Sequence, residues 1–242
     1  MSFTVVIPAR LNSTRLENKL LLEINNKPLL IHTAEQVAKS KATNIFIATD
    51  NQIICNVAED FGFKSVMTSE SHQSGTDRVN EALQILSLSD DQVLVNVQGD
   101  EPLVDFKLIN ELAENISTHN QFVSAYQKFK SFEDYKNKNN VKVALNERNE
   151  AITFSRSMIG NLNDKDFIDD LIYHHIGIYA YTVKLVNQFC QLDRPEIEKA
   201  EKLEQMRAIF NDIPIKMIEY QGKEMIGVDT IEDFNKVKIL LS

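Results

Sequence analysis

The chain has 242 residues, of which 43% are hydrophobic and 25% charged, a composition typical of a soluble globular protein. Its net charge of −9 argues against a nucleic-acid binder or an anionic-membrane binder, because both need a surplus of lysine and arginine. The two cysteines, Cys55 and Cys190, lie in helix-like segments without metal-ligand spacing, and no signal-peptide pattern or transmembrane-length apolar run is present, which favours a cytoplasmic protein with reduced thiols.

The first half of the chain alternates strand-like and helix-like segments, which predicts parallel strands joined by helices. Pro28 suits the first turn of the first helix, and Asp50 is expected to cap the second. The predicted strands are 3–7, 44–48, 65–67 and 93–97, and the predicted helices are 28–37, 53–58, 74–86 and 108–116.

The second half has a different pattern, with strand-like segments separated by short polar turns, which indicates antiparallel pairing. Strands are predicted at 122–129, 141–145, 151–155, 173–181 and 213–219, and helices at 199–210 and 230–240. We therefore predict an α/β fold with a mostly parallel central sheet flanked by helices and an antiparallel extension in the second half. No linker or repeat divides the chain, so 1–242 is expected to form one domain.

A buried β-branched strand, 93–97, ends at Gly99 and is followed at once by Asp100, Glu101 and Pro102. Open α/β sheets bind their ligands at the carboxyl ends of such strands. Asp100 is therefore either a ligand-binding carboxylate or a residue that opens the turn before the next helix. The strand alone leaves both interpretations open.

Three cations, Arg10, Arg15 and Lys19, lie between the first strand and the first helix, where α/β proteins bind phosphates. The loop has neither a GxGxxG nor a P-loop pattern, so side chains must replace the glycine-rich backbone in binding a triphosphate. The alternative is a solvated basic loop.

Asp229 lies at the predicted start of the last helix and, with Asp100, could hold Mg²⁺ through carboxylate oxygens. Nucleotidyl transfer needs such charge neutralisation around the α-phosphate and the leaving pyrophosphate. The alternative is that this segment only begins a helix, because Thr230 and Asp233 have the spacing of a capping box.

Seven segments are spread in order from Ile7 to Phe234, and together they resemble the signatures of the 3-deoxy-manno-octulosonate cytidylyltransferases, also called CMP-Kdo synthetases. The segments are IPARLNSTRLENK, HQSGTDR, VNVQGDEP, FSR, HHIGIYAY, LEQMR and GVDTIEDF. The resemblance implies a nucleotide-diphospho-sugar transferase-like fold, a reaction of CTP with the acidic sugar Kdo to give CMP-Kdo and pyrophosphate for lipopolysaccharide synthesis, Mg²⁺ as cofactor, and a homodimer.

The resemblance also assigns residues. It favours the metal role for Asp100 and Asp229 and implies a nucleotide-binding part at 1–120 and a sugar-binding, dimer-contacting part at 121–220. The implied catalytic residues are Lys19, Asp100, Asp229 and Arg10. The implied nucleotide-binding residues are Arg10, Arg15, Lys19, Ser74, Gly75, Asp77 and Arg78. The implied sugar-binding residues are Gln98, Arg156, His175, Tyr179, Glu204 and Gln205.

Several of these sugar-binding residues have a simpler interpretation. Arg156 can pair with a carboxylate in forked geometry. Taken alone, however, His175 is better explained as a hydrogen-bonded core histidine and Glu204 as part of a solvated helix face. The resemblance selects His175 over His174, because strand alternation cannot be applied before the register is known.

The first loop departs from the family pattern R-L-P-G-K-P, since Glu17 and Asn18 replace the proline and glycine. Asn18 tolerates the left-handed conformation that glycine would adopt, so the shape of the loop is expected to be kept. Two other functions stay open from the sequence. One is a related CMP-sugar synthetase acting on amino-substituted Kdo or sialate, and the other is a catalytically silent nucleotide-binding protein.

Overall fold

The computed structural model describes residues 2–11, 15–72, 74–162 and 171–242. Residues 12–14 and 73, which belong to two of the quoted segments, lie outside the described part. The strands are β1 (Phe3–Ala9), β2 (Glu23–Ile24), β3 (Lys27–Pro28), β4 (Asn44–Thr49), β5 (Lys64–Met67), β6 (Val93–Asn96), β7 (Phe122–Gln127), β8 (Lys142–Leu145), β9 (Ala151–Ser155), β10 (Ile172–Thr182) and β11 (Lys216–Glu219). The helices are α1 (Leu29–Ala38), α2 (Gln52–Asp60), α3 (Gly75–Ile85), α4 (Phe106–Glu114), α5 (Phe132–Lys136), α6 (Val183–Gln191), α7 (Glu196–Glu201), α8 (Gln205–Phe210) and α9 (Ile231–Leu241), with a 3₁₀ turn at Lys19–Leu21.

One sheet organises the described residues, with strand order β11-β7-β10-β6-β1-β4-β5. The neighbours β6, β1, β4 and β5 run parallel, as do β7 and β11. Strand β10 is antiparallel to both β6 and β7, and it also pairs with β8, which in turn pairs with β9. The predicted fold class, a mostly parallel sheet with an antiparallel extension, is confirmed.

Strand alternation divides the core into layers on the two faces of the sheet. On β1, Val5 and Ile7 point to the face covered by α1 and α4, whereas Val6 points to the face covered by α3 and α6. All three are fully buried. Burying a side chain of this size contributes about 1.5–3 kcal/mol, so the apolar run anchors β1 from both sides and fixes where its carboxyl end lies.

Two predictions of local structure are wrong. The predicted helix 199–210 is interrupted at Lys202, whose φ of 55° is left-handed and ends α7 before α8 begins. Asp50 does not cap α2, because the Asn51 side chain accepts the capping hydrogen bond from the Ile53 amide. The Asp50 carboxylate instead accepts a hydrogen bond from Arg78, at 2.6 Å.

The sequence analysis also missed α5 and the short hairpin formed by β2 and β3, which lies in the segment interpreted as loop. The helix-like pattern noted around Cys190 corresponds to α6. Across the residues that the structure describes, no helix combines the length and the apolar character that a bilayer span would need.

Candidate active site

The carboxyl ends of β1 and β6 meet at one edge of the sheet, and the chain leaves β6 through a tight passage. A Cβ atom on Gly99 would lie 3.1 Å from the carbonyl oxygen of Pro8 and 3.1 Å from Cδ1 of Leu30. Any other residue here would require the Pro8 backbone or Leu30 to shift by a few tenths of an ångström, so glycine suits this close approach. The passage brings Asp100 directly beside the end of β1, where Arg10 begins the first loop.

Lys19 is aimed at Asp100 by the turn that contains it. Asn18 has φ 50° and ψ 30°, so the left-handed conformation expected at this position is confirmed, and the 3₁₀ turn that follows places buried Leu20 in the core. Lys19 Nζ then lies 2.5 Å from Asp100 Oδ2 and 3.0 Å from Asp229 Oδ1. Residues far apart in sequence therefore meet at one ammonium group.

Asp229 is supplied by the segment that enters α9. The predicted capping box is present, since the Thr230 hydroxyl accepts a hydrogen bond from the Asp233 amide and the Asp233 carboxylate accepts one from the Thr230 amide. The Asp229 carboxylate takes no part in that box. It pairs with Lys19 and with Arg15, whose Nη2 is 2.9 Å from Oδ1. A backbone hydrogen bond of 2.9 Å from the Val228 amide to the Asp100 carbonyl ties the two acidic segments together.

The electrostatics of this cluster favour a permanently charged lysine. Burial alone would lower the pKa of Lys19, but the charges of Asp100 and Asp229 outweigh it and raise that pKa. The neighbouring Glu101 carboxyl has its pKa raised to about 8, first by burial and then by the two aspartates. The cluster is therefore a set of acidic groups around Lys19, with Arg15 as a second cation at Asp229.

Two adjoining cavities open at this edge of the sheet. The smaller, of about 280 Å³, is lined by Arg10, Lys19, Ser74 and Gly75 among others. The larger, of about 800 Å³, extends over the antiparallel strands. Four side chains line both cavities and so lie between them: Arg15, Gln98, Glu204 and Asp229.

Ser74, Gly75 and Asp77, which are predicted to bind the nucleotide, each make contacts within the protein. Ser74 caps α3 by accepting a hydrogen bond from the Asp77 amide, and Gly75 packs closely against the Gln98 side chain. The Asp77 carboxylate pairs with Arg194 at 2.5 Å.

Arg78 lies against the protein interior. It is 3% exposed, and its guanidinium donates to Asp50 and to Thr68, each at 2.6 Å. Both partners hold the guanidinium against the β4–β5 side of the site, so in this structure Arg78 supports the entrance of α3.

On the sugar side, His175 is a buried neutral ring. Ser124 has a single hydroxyl proton, and the carbonyl oxygen of Ile178, at 2.9 Å, accepts it, so His175 Nε2 donates to the serine oxygen at 3.0 Å. Burial, followed by the charge of His174, lowers the pKa of His175 to about 3. The core-histidine interpretation therefore describes its hydrogen bonding, although the ring also lines the larger cavity.

His174 also lines the larger cavity, which the sequence analysis missed. Its ring stacks on Phe129 at 5.4 Å and its Nδ1 is 3.1 Å from the Gln127 amide nitrogen. His174 and His175 are in regular register with β7, opposite Gln127 and Tyr126, so alternation places them on opposite faces, yet the cavity reaches both rings. Simple alternation could not have found this.

Glu204 has an unusual environment for a carboxylate. Its Oε2 atom is buried and has no hydrogen-bond partner among the described residues, and burial is the main cause that raises its pKa. The solvated-face interpretation is therefore wrong. A buried oxygen without a partner at the boundary of two cavities can accept a hydrogen bond from a donor group on a ligand.

The remaining predicted sugar residues are close by. The Tyr179 hydroxyl is 3.4 Å from Gln205 Oε1, and burial raises the pKa of Tyr179 well above its usual range. Arg156 follows the end of β9 and lines the larger cavity. The structure thus brings Gln98, Arg156, His175, Tyr179, Glu204 and Gln205 to one cavity wall.

The sheet topology, with basic and acidic side chains at its strand ends, is that of a nucleotidyltransferase, and the family described as Cytidylyltransferase matches residues 4–218. A 3-deoxy-manno-octulosonate cytidylyltransferase from Francisella tularensis subsp. novicida is 43% identical, with 98% of each chain covered. The protein of the same name from Haemophilus influenzae is 38% identical over 100% of this chain and 99% of its own.

A solved structure described as CMP:2-keto-3-deoxy-manno-octonic acid synthetase complexed with CTP superimposes with a TM-score of 0.89 at 31% identity, covering 99% of this chain and 98% of that one. The chain therefore belongs to the 3-deoxy-manno-octulosonate cytidylyltransferase family.

Proposed function

We propose that this protein joins CTP and Kdo to give CMP-Kdo and pyrophosphate, and so activates Kdo for lipopolysaccharide synthesis. The observation that carries the proposal is the convergence of Asp100 and Asp229 on Lys19 at the junction of two cavities. Relatives that bear this activity in their names match over the full length of the chain. In the reaction, a hydroxyl oxygen of Kdo forms a bond to the α-phosphorus, the bond to pyrophosphate breaks, and the hydroxyl proton is released.

The smaller cavity suits the triphosphate. Arg10, Arg15 and Lys19 line it beside Asp100, Asp229 and Glu204, so cations for the phosphates and carboxylates for a metal share one cavity. Lys19 donates its three ammonium protons to two carboxylates and to the Val228 carbonyl, so it must exchange one of these partners for a phosphate oxygen when the nucleotide binds.

A divalent metal fits the acidic pair. Among the described residues no three His, Cys, Asp or Glu side chains form a metal-binding group, but Asp100 and Asp229 both have an oxygen within 3.0 Å of one nitrogen. Mg²⁺ commonly takes only one or two carboxylates and completes its shell with water and substrate phosphate. When bound there, Mg²⁺ would neutralise phosphate charge.

The cytidine and the sugar are proposed to lie on opposite sides of the acidic pair. Ser74 and Gly75 border the nucleotide, and Asp77 and Arg78 support that wall through their protein partners. In the larger cavity Arg156 is proposed to pair with the Kdo carboxylate. His175, Tyr179, Glu204 and Gln205, with Gln98 at the junction, are proposed to bind its hydroxyls.

We also propose a cytoplasmic homodimer formed through the antiparallel extension. Among the described strands β9 pairs only with β8, apart from a hydrogen bond from the Ala151 amide to the Ile215 carbonyl at its start, and Ile152 is 54% exposed. Sedimentation velocity on the wild type and on Ile152→Lys tests this. A dimer that the substitution weakens is expected, and a monomeric wild type would contradict it.

Pyrophosphate release measures the proposed activity directly. We expect release from CTP only when Kdo and a divalent metal are both present, with little activity on ATP or UTP. Chelation with EDTA should stop the reaction and added Mg²⁺ should restore it. Sialate and amino-substituted Kdo, supplied in place of Kdo, test the related synthetases. Equal rates with UTP, or a rate that EDTA does not change, would show that the proposal is wrong.

A further inference from the structure

Arg156 is held in place from both sides of its backbone by two charged side chains that have not been given a role above. Lys142, the first residue of β8, donates from Nζ to the Arg156 carbonyl at 2.9 Å. Glu201, the last residue of α7, accepts from the Arg156 amide at 3.0 Å. Its other oxygen accepts from the Ser155 hydroxyl, also at 3.0 Å. The residue is thus fixed by one cation and one anion.

Lys142 is unusual because lysine is seldom fully buried. Its relative exposure is 0%, and besides the Arg156 carbonyl its ammonium bonds only the Asn137 carbonyl, at 2.7 Å, among the described contacts. Burial, followed by the positive charge of Arg156, lowers the pKa of Lys142 to about 8, and Glu201 opposes this effect. Burying an ammonium in such a place costs free energy, and the two hydrogen bonds that Lys142 donates to the Asn137 and Arg156 carbonyls offset that cost.

Glu201 connects this arrangement to the rest of the sugar pocket. The chain turns at Lys202 immediately after Glu201, and Glu204 and Gln205 follow at the cavity wall. One carboxylate therefore fixes both the Arg156 backbone and the end of the helix that leads to Glu204. Asn137, which Lys142 also holds, lines the same cavity.

From this geometry we infer that Lys142 and Glu201 are positioning residues, which hold Arg156 so that its guanidinium meets the carboxylate of an acidic sugar. The inference rests on the proposed function. Being buried behind the wall, Lys142 acts through Arg156 and not by contact with the substrate. Its ammonium also adds positive charge behind the site where a carboxylate would bind, whereas the smaller cavity and the acidic pair lie elsewhere.

The test compares Lys142→Met and Glu201→Gln with the wild type. Each variant loses or weakens a hydrogen bond that holds the Arg156 backbone, so the guanidinium is misplaced relative to the sugar carboxylate. KM for Kdo should therefore rise about tenfold or more. CTP affinity, measured by calorimetry without sugar, should stay within about twofold. Lys142→Arg keeps donors for the two carbonyls and should recover part of the loss. Lys138→Met and Glu147→Gln, at exposed positions in neighbouring loops, are the matched controls and should leave both constants unchanged.

A general loss of structure would weaken CTP binding and Kdo use together, and that outcome would overturn the inference. So would a KM for Kdo within twofold of the wild-type value in both variants. If Lys142→Met does not fold, Glu201→Gln decides, since its side chain is only partly buried. A wild type that releases no pyrophosphate from CTP and Kdo refutes the proposed function, and this inference falls with it. An active wild type with unaffected variants refutes the inference alone.

Discussion

The contact between Lys19 and Asp100 is too buried to be an ordinary surface ion pair, whereas the side chain of Asp229, which also contacts Lys19, is 47% exposed. The side chain of Lys19 is 12% exposed and that of Asp100 27%, whereas exposed pairs contribute at most about 1 kcal/mol. A preorganised group of this kind contributes mainly to catalysis, because its charges are already oriented when the substrate arrives. Its removal should therefore affect turnover more than folding.

Asp100→Asn tests this for the acidic side. The amide keeps the size of the side chain but removes the charge that Lys19 and a metal would bind. We expect turnover to fall on the order of a hundredfold or more, with the folded state retained. Steady-state kinetics and circular dichroism measure the two effects. Asp91→Asn, an exposed position just before β6, is the matched control, and near-normal turnover in Asp100→Asn would return Asp100 to the role of a turn residue.

His175 makes a prediction about acid stability. Its folded-state pKa of about 3 lies below the usual 6.5, so as the pH falls the unfolded chain takes up a proton first. The stability that the neutral ring contributes is complete above pH 6.5 and is lost as the pH falls toward 3. The free energy of unfolding should fall by at most about 1.4 kcal/mol per pH unit on this account.

His175→Asn removes the titrating group, so the dependence of the unfolding free energy on pH between 6.5 and 4 should become shallower than in the wild type. Urea unfolding at several pH values gives that slope. The absolute stability of the variant can differ because ring contacts are lost, and the comparison uses only the slope. His119→Asn, on the surface, should keep the wild-type slope. An unchanged slope in His175→Asn would contradict the assignment of a buried neutral ring.

At the scale of the elements, α7 and α8 form one unit although the helix is interrupted at Lys202. Arg207 on α8 makes a forked pair with Glu198 on α7, with both distances 2.7 Å, and packs its guanidinium over the Phe189 ring of α6 at 4.6 Å. Arg207 is 1% exposed and Glu198 6%. The pair holds the interruption in place, and with it the segment that carries Glu204.

Breaking this pair from one side should be costly. Arg207→Met leaves the Glu198 carboxylate buried beside fewer partners, and we expect a loss of about 3–5 kcal/mol in the free energy of unfolding. The double variant Glu198→Leu/Arg207→Met should recover a large part of that loss, because no buried charge is then left alone. Urea unfolding measures both. Lys199→Met breaks the exposed pair with Glu196 on the same helix and should change stability by less than about 0.5 kcal/mol. Equal losses in Arg207→Met and Lys199→Met would contradict this account.

The sequence predicted some elements better than others. Elements determined by residues close together in sequence were predicted, and those determined by residues far apart in sequence were not. The apolar runs of β1 and β6 and the cap of α9 depend on neighbouring residues, so their patterns were sufficient. The interruption at Lys202 depends on a tertiary ion pair, and a continuous helical pattern concealed it. Asp50 was assigned to a local cap because its partner, Arg78, is 28 residues away.

The candidate site shows the same division. The motifs predicted that Lys19, Asp100 and Asp229 belong to one site, yet only the fold brings them together across separations of 81 and 210 residues. The sequence could not predict that Lys142 and Glu201 hold Arg156, or that His174 lines the larger cavity. Both depend on the register of β8, β9 and β10. A strand pattern gives the faces of a strand but not its neighbours, and it does not show that one cavity extends to both faces.

At the scale of the whole molecule, the two cavities separate the proposed substrates. The smaller cavity is built from the first 100 residues with Glu204 and Asp229, and the larger one mainly from 122–141, β10 and the segments 202–205 and 224–236. Substitutions in the two cavities should therefore have different kinetic effects, even though both reduce the overall reaction.

Arg156→Ala and Lys19→Ala test this separation. Loss of a charge-assisted pair with the sugar carboxylate should raise KM for Kdo by the equivalent of about 1.5–3 kcal/mol in Arg156→Ala and leave CTP affinity almost unchanged. Lys19→Ala should instead lower kcat, because the contact is strongest in the transition state. CTP titration by calorimetry without sugar, followed by KM for Kdo at saturating CTP, separates the two effects. Lys41→Ala, which removes a lysine from an exposed pair, is the control. If Arg156→Ala abolished CTP binding and spared KM for Kdo, Arg156 would belong to the nucleotide cavity, and the larger cavity would need another cation for the acidic sugar.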